Sequence, residues 1–348
     1  MTWRRPWCVS LIALLSGCGG GGETPVGGVP ETSAARRVQF VGFDASGPLV
    51  AAIKDGKLQG VVVQNPMRIG SEGVRQLVAH LRKAKVAAKI TTGETLVTRE
   101  NLDSPDVSGL INAPKVEASV DAGSSGPRAK KWRVMVIPKG TTHEFWQTIH
   151  AGAARAAAEL GDVELIWQSP QKEDDRTLQI QLVQGAIAAG VDGIVLAPLD
   201  ARALVAPVEE AVAKGIPVVI IDSALESTKP VSYVATDNYH GGVLAAKRLG
   251  ELLGGQGRII LIRYAVGSAA TQEREQGFTD TMAKEFPKVV YVSDDQYAGA
   301  TSDSAQRVAQ NLVTRYRGQF DGIFTPNESS TLGTLRALES AGLVSSRP

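Results

Sequence analysis

The stretch Val38-Gln39-Phe40-Val41-Gly42-Phe43-Asp44 decides how this chain is to be read. It has the form of a buried parallel strand, an almost unbroken apolar run that ends in Asp. Such strands lie inside sheets covered by helices on both faces. No strand–helix unit precedes this one, so its partners must come from further along the chain.

A series of alternating strands and helices begins at Lys131. Arg133–Ile137 reads as a strand and Phe145–Leu160 as a helix; Val163–Trp167 is the next strand and 174–189 the next helix. Gly193–Pro198 and Ile216–Asp222 complete four strands, with a helix between them stopped by Gly215. The series then repeats. Strands are expected at Arg258–Ile262, Val289–Val292 and Phe320–Phe324, with helices at Phe278–Phe286, Ser302–Tyr316 and Thr331–Ala341. Phe320-Asp321-Gly322-Ile323-Phe324 echoes Val191-Asp192-Gly193-Ile194-Val195. The second series lacks only the counterpart of the strand ending in Asp222, and Val38–Asp44 matches it.

The economical reading is a circular permutation, in which 36–115 supplies the end of a two-lobed fold that begins at 131. The expected fold class is α/β, two doubly wound parallel-sheet lobes joined by a hinge. The expected divisions are 36–115 (mostly lobe 2 plus a returning lobe 1 helix), a Ser/Gly/Ala linker at 116–130, lobe 1 at 131–224 and lobe 2 at 225–348. A flexible linker of that length spans roughly 20 Å, enough to join neighbouring surface points in a monomer. A swapped dimer is the alternative.

Residues 1–18 show Arg4 and Arg5, then the apolar run Cys8–Leu15, then small residues: a secretory signal layout too short for a stable membrane span. Leu15-Ser16-Gly17-Cys18 resembles a bacterial lipobox, with Cys18 as the lipidated first residue of the mature chain; the alternative is an ordinary signal containing Cys. Residues 19–35 read as a flexible tether. Loss of Cys8 with the signal leaves one Cys, which excludes an intrachain disulfide. With 37 basic against 36 acidic residues and no basic run, nucleic acid is excluded as a partner. Hydrophobic residues at 43% and charged residues at 21% exclude a disordered chain.

Eight stretches carry a resemblance to a known family: Lys139–Trp146, Val219–Asp222, Thr236–Asn238, Gly241-Gly242, Glu273–Phe278, Asn327–Ser329, Val41–Asp44 and Val63–Pro66. Read as 131–344 followed by 36–115, the chain resembles the type I periplasmic sugar-binding proteins of ABC transporters, the ribose-binding group. The resemblance implies two hinged lobes closing on a ligand. Independently, open parallel sheets bind ligands beyond their strand ends. Lys139, Ala197, Asp222, Asn327 and Asp44 all follow expected strands.

Each candidate carries an alternative. Asp222 and Asp44 suit vicinal hydroxyls or serve as turn and helix caps. Arg274 is, by the resemblance, a donor fork to sugar oxygens, otherwise an exposed charge at a helix start. Asn327 offers both donor and acceptor, or caps the helix that follows. Of Phe145 and Trp146, one packs in the core and the other, with Trp146 favoured, lies on a sugar ring. Gln64 is a hinge-side amide ligand or a solvated turn residue; Lys139 and His143 are further contacts or face water. Ser223, His143 and Ala197 depart from the residues usual in ribose binders (Arg, Asn and Asn), which leaves the ligand open beyond ribose.

Other chemistry is set aside. Gly17–Gly22 satisfies GxGxxG only across the cleavage site and after no strand. His143-Glu144-Phe145-Trp146-Gln147 lacks the second His of HExxH, and four His with one mature Cys make no transition-metal centre. No catalytic residue, cofactor or metal is expected. The expected function is an extracytoplasmic, lipid-anchored binding protein delivering a sugar or polyol to an ABC permease. A membrane sensor is the alternative partner, and an enzyme using the same cleft is the reading from another class.

Overall fold

The computed structural model describes residues 37–114 and 131–344. Cys18, the signal, the tether and the 116–130 linker lie outside the described residues. In chain order the elements are β1 (Gln39–Phe43), α1 (Gly47–Lys54), β2 (Gly60–Gln64), α2 (Pro66–Leu81), β3 (Lys89–Thr91), β4 (Glu94–Val97) and α3 (Pro105–Ile111). There follow β5 (Trp132–Ile137), α4 (Glu144–Leu160), β6 (Val163–Trp167), α5 (Arg176–Ala188), β7 (Gly193–Leu196), α6 (Val205–Ala213), β8 (Val218–Ile221) and β9 (Ser232–Ala235). The rest are α7 (Asn238–Leu252), β10 (Gln256–Arg263), α8 (Ala269–Glu285), β11 (Lys288–Tyr297), α9 (Ser302–Arg315), β12 (Gly322–Phe324) and α10 (Glu328–Ser340).

The strands form two six-stranded sheets, β3-β9-β8-β7-β5-β6 in lobe 1 and β11-β10-β12-β1-β2-β4 in lobe 2. Among the described strands, only the β2–β4 pair is antiparallel. The strand at the front of the chain sits inside lobe 2: Gln39, Phe40 and Val41 pair with Gly322, Ile323 and Phe324. Just before it, the Val38 N–H donates to the Leu343 carbonyl at 3.2 Å.

Both sheets are apolar on both faces. In lobe 1, Val134, Val136, Val195, Val219 and Ile221 join one core, while Met135, Ile137, Ile194, Leu196, Val218 and Ile220 join the other. Lobe 2 divides in the same way, with Phe40, Val61 and Ile323 on one side and Val41, Val62 and Phe324 on the other. The Asp-Gly echo has a physical cause: Asp192 and Asp321 each accept, at 2.8 Å, a main-chain N–H near the start of the adjoining strand, at Arg133 of β5 and Arg258 of β10.

The front segment also completes lobe 1, where α2 lies on α4. A Cβ on Gly152 would collide with the Met67 carbonyl oxygen, and one on Gly70 with that of Ile149. Only glycine permits that approach.

Several boundaries differ from the sequence reading: β11 runs on to Tyr297 rather than ending at Val292, and α10 begins at Glu328 rather than Thr331. Lobe 1 does not end at 224, because β9 pairs with β8 and β3 in its sheet. The short Ser232–Ala235 run follows a polar loop and gives little periodic signal, so the crossing to lobe 2 falls at Thr236–Asp237. Helix α8 begins at Ala269 rather than Phe278. Its charged run Glu273-Arg274-Glu275 hides a buried face that includes Arg274 and Glu275. The described crossings between lobes, at Gln64–Pro66, Thr92–Gly93 and Thr236–Asp237, run side by side. The Thr92 N–H donates to the Ala235 carbonyl at 2.9 Å, and Thr236 Oγ1 donates to Gln64 Oε1 at 2.9 Å.

Candidate ligand-binding site

Asp44 and Asp222 leave β1 and β8 with φ of +67° and +61°. This left-handed conformation is uncommon outside glycine, and Asp tolerates it better than most residues. It turns the chain sharply at equivalent places in the two lobes, and both carboxylates line the same cavity. Asp44 Oδ1 accepts from Gln64 Nε2 at 2.7 Å, and Oδ2 from the main-chain N–H of Glu328 at 3.0 Å. A chain of hydrogen bonds thus runs from the hinge, through Thr236 and Gln64, to the exit of β1. Burial raises the Asp44 carboxyl above its ordinary value, with Arg274 pulling the other way.

In lobe 1, Lys139 Nζ stands 2.7 Å from Asp222 Oδ2, and both side chains are buried. The cation beside Asp222 therefore comes from the β5–α4 loop. Ser223 stands where the resemblance leads one to look for Arg, and it bridges the lobes instead. Its Oγ accepts the Ala270 N–H at the start of α8 in lobe 2, at 3.0 Å.

A second buried centre surrounds Glu173. Its Oε1 accepts from Trp146 Nε1 at 2.6 Å and lies 2.5 Å from His143 Nδ1, while Oε2 accepts from Tyr264 Oη at 2.6 Å. Burial opposes the charge on His143, but the Glu173 carboxylate outweighs it and pushes the ring up to about 9. Burial likewise opposes ionisation of Glu173, yet His143, then Lys139 and Tyr264, hold it at about 2.

Arg274 is buried rather than exposed. Its Nε donates to Asn238 Oδ1 at 2.9 Å and one terminal nitrogen donates to the Pro326 carbonyl at 3.0 Å. The guanidinium carbon lies 4.0 Å from the centre of the Phe43 ring, a cation–π geometry. Asn327 is the N-cap of α10, its side chain accepting from Ser330 N–H and its Nδ2 donating to Ser329 Oγ at 3.1 Å. The capping alternative thus describes its bonds here. Phe145 and Trp146 meet edge to face with centroids 4.9 Å apart. Trp146 is the more deeply buried and joins the lobe 1 core, whereas Phe145 is half-buried; both also border the cavity.

All nine residues singled out in the sequence (Lys139, His143, Phe145, Trp146, Asp222, Arg274, Asn327, Asp44 and Gln64) line one cavity. Lys139 and His143 are buried in its wall rather than facing bulk water. Sequence reasoning missed Glu173, Tyr264, Ser268, Thr271 and Glu328, which share that lining. Tyr264 follows β10, so the strand-exit rule applied to its sister strands would have found it. Glu173 lies in the polar turn Gln171-Lys172-Glu173-Asp174 and gives no such signal. The Ser268 hydroxyl is buried without a hydrogen-bond partner, a donor and acceptor available to a ligand.

The lobes are shut on this cavity. Besides Ser223–Ala270 and Glu173–Tyr264, the Gly47 N–H faces the Glu144 carboxylate at 3.3 Å and the Ala201 N–H donates to the Gly267 carbonyl at 3.0 Å. Among the described residues, no group of three His, Cys, Asp or Glu could hold a metal ion. Nor is any described helix long and apolar enough to cross a membrane.

Comparison with known protein families matches residues 134–347 to the periplasmic binding protein domain. A xylitol-binding protein of Mycolicibacterium smegmatis is 30% identical over 185 residues, 53% of this chain and 52% of that protein. The matched region thus spans about half of that relative. Among solved structures, the periplasmic component of a sugar transport system from Hahella chejuensis is 34% identical with a TM-score of 0.57, covering 60% of this chain and 76% of that one. A carbohydrate transporter solute-binding protein from Agrobacterium radiobacter, in complex with D-arabinose, is 30% identical with a TM-score of 0.58, covering 61% and 72%.

Proposed function

The chain belongs to the periplasmic binding protein domain family, and from that premise we propose that it captures a sugar or polyol between its lobes and delivers it to an ABC permease. The observation that carries this reading is the cavity between facing strand exits, bordered by Asp44 and Gln64 on one side and Lys139 and Asp222 on the other. Carboxylates accept paired hydroxyl protons, cations donate to ring and hydroxyl oxygens, and an aromatic face covers the apolar side of a sugar. Closing expels water and strengthens these contacts. No bond in the ligand needs to break.

The proposed setting is outside the cytoplasm, with the lipidated Cys18 as membrane anchor and 19–35 as tether. The proposed chain order is a circular permutation within one molecule, supported by the central place of β1 beside β12 and by the Val38–Leu343 hydrogen bond. The relatives that bind xylitol and D-arabinose make small polyols and pentoses the first compounds to test.

A thermal-shift screen of pentoses, hexoses and polyols tests the reading. A ligand at 100 times its dissociation constant stabilises by about 2.7 kcal/mol. Asp222→Ala and Arg274→Ala are expected to abolish that response. A sugar that is chemically altered on incubation, or the absence of any response across the panel, overturns the reading.

A further inference from the structure

Glu328 opens α10 in lobe 2, but its carboxylate lies against the first turn of α4 in lobe 1. Oε1 accepts the main-chain N–H of Glu144 at 3.3 Å, and Oε2 that of Phe145 at 3.2 Å. The first turn of a helix leaves such N–H groups without partners inside the helix. His143, the N-cap residue of α4, makes no side-chain capping bond. The missing cap therefore arrives from the opposite lobe, and this contact lasts only while the lobes are shut. Glu328 is also tied into the cavity wall, since its own N–H donates to Asp44.

We propose that Glu328 is a cross-cleft clasp that couples lobe closure to protonation, so that ligand capture strengthens as the medium turns from neutral to acidic. The proposal rests on the hinge-closing reading above. The groups facing Glu328 are Asp44 from the β1 exit, His143 from the β5–α4 loop and Glu144 from the first turn of α4. On its own helix stands the neutral cap Asn327. Further round the cavity are Arg274, Lys139 with Asp222, and Glu173 with His143. The His143–Glu173 and Lys139–Asp222 pairs each lie within lobe 1, so opening does not separate them.

Burial pushes the Glu328 carboxyl up to about 7, with Asp44 acting in the same direction and His143 and the two α4 N–H groups against it. An opened cleft returns the side chain to water and to the ordinary carboxylate range. Closure therefore takes up a proton. Above pH 7 the closed form bears the cost of a buried carboxylate, and that cost fades as pH falls toward about 4.5.

Small-angle X-ray scattering on the full chain at pH 5 and pH 8, with and without D-ribose, xylitol or D-arabinose, tests the proposal. The unliganded protein is expected to be more compact at pH 5, and a sugar that binds is expected to do so at least several-fold more tightly there. Glu328→Gln, which stays neutral and keeps one acceptor oxygen for the α4 N–H groups, is expected to have the same dimensions at both values. Glu328→Ala, which leaves α4 uncapped, is expected to be open at both; thermal melts confirm that each variant is folded. A wild-type pH step preserved in Glu328→Gln, or a wild type more compact at pH 8, overturns the clasp. Dimensions that ignore pH but respond to sugar overturn the clasp alone; dimensions that ignore both overturn the hinge-closing reading as well.

Discussion

At the scale of single residues, the cavity is governed by buried charges held in pairs. The His143–Glu173 pair gives a pH signature of its own. The raised His143 contributes stability that is complete below its ordinary value of 6.5 and is lost as pH rises through about 9. The depressed Glu173 contributes stability that is complete above 4.5 and is lost as pH falls through about 2. The melting temperature of the wild type is expected to decline from pH 6.5 to 9, and that of Glu173→Gln to decline less across the same window. Parallel profiles would remove the pair from the stability account. The strand-exit logic made Asp44, Asp222 and Lys139 legible from sequence, because an apolar run that stops at a charged residue marks where a sheet meets solvent or a site. Glu173 was not legible. Its role depends on three donors brought from distant positions, among them Tyr264 of the other lobe.

At the scale of elements, the contact between α2 and α4 fastens the front segment to lobe 1. Gly152→Ala drives a methyl group into the Met67 carbonyl and is expected to destabilise by roughly 1–3 kcal/mol, even though Ala favours helix by about 1 kcal/mol. Gly185→Ala in α5 is the control. Nothing lies within 4 Å of its added Cβ, so it is expected to stabilise by roughly 0.5–1 kcal/mol. Chemical denaturation of both variants reads the contrast, and equal effects would contradict the close crossing. The long apolar strands and periodic helices could be read directly from the sequence. β9 and the first turns of α8 could not, since a short strand and a helix with charged buried residues carry weak apolar periodicity. Arg274 and Glu275 are buried because they satisfy partners: Arg274 bonds Asn238 and Pro326, and Glu275 bonds Arg263 and the Tyr264 N–H.

At the scale of the whole molecule, the proposed rearrangement predicts that the order of the two segments can be reversed. A chain starting at Lys131, joined from Val344 to Val38 and ending near Ala113, is expected to fold with the same circular dichroism and the same response to sugars, because Val38 already bonds Leu343. A chain so joined that fails to fold would count against the rearrangement. The central position of β1 also bears on the timing of assembly. In the sheet order β11-β10-β12-β1-β2-β4, the earliest of the described strands has as one neighbour the latest of them. Until β12 exists, one edge of β1 presents unpaired backbone groups along an apolar strand, the kind of edge that invites pairing with other chains. The hazard of mispairing is therefore greatest while the chain between β1 and β12 is still being made, and it ends when β12 takes its place beside β1.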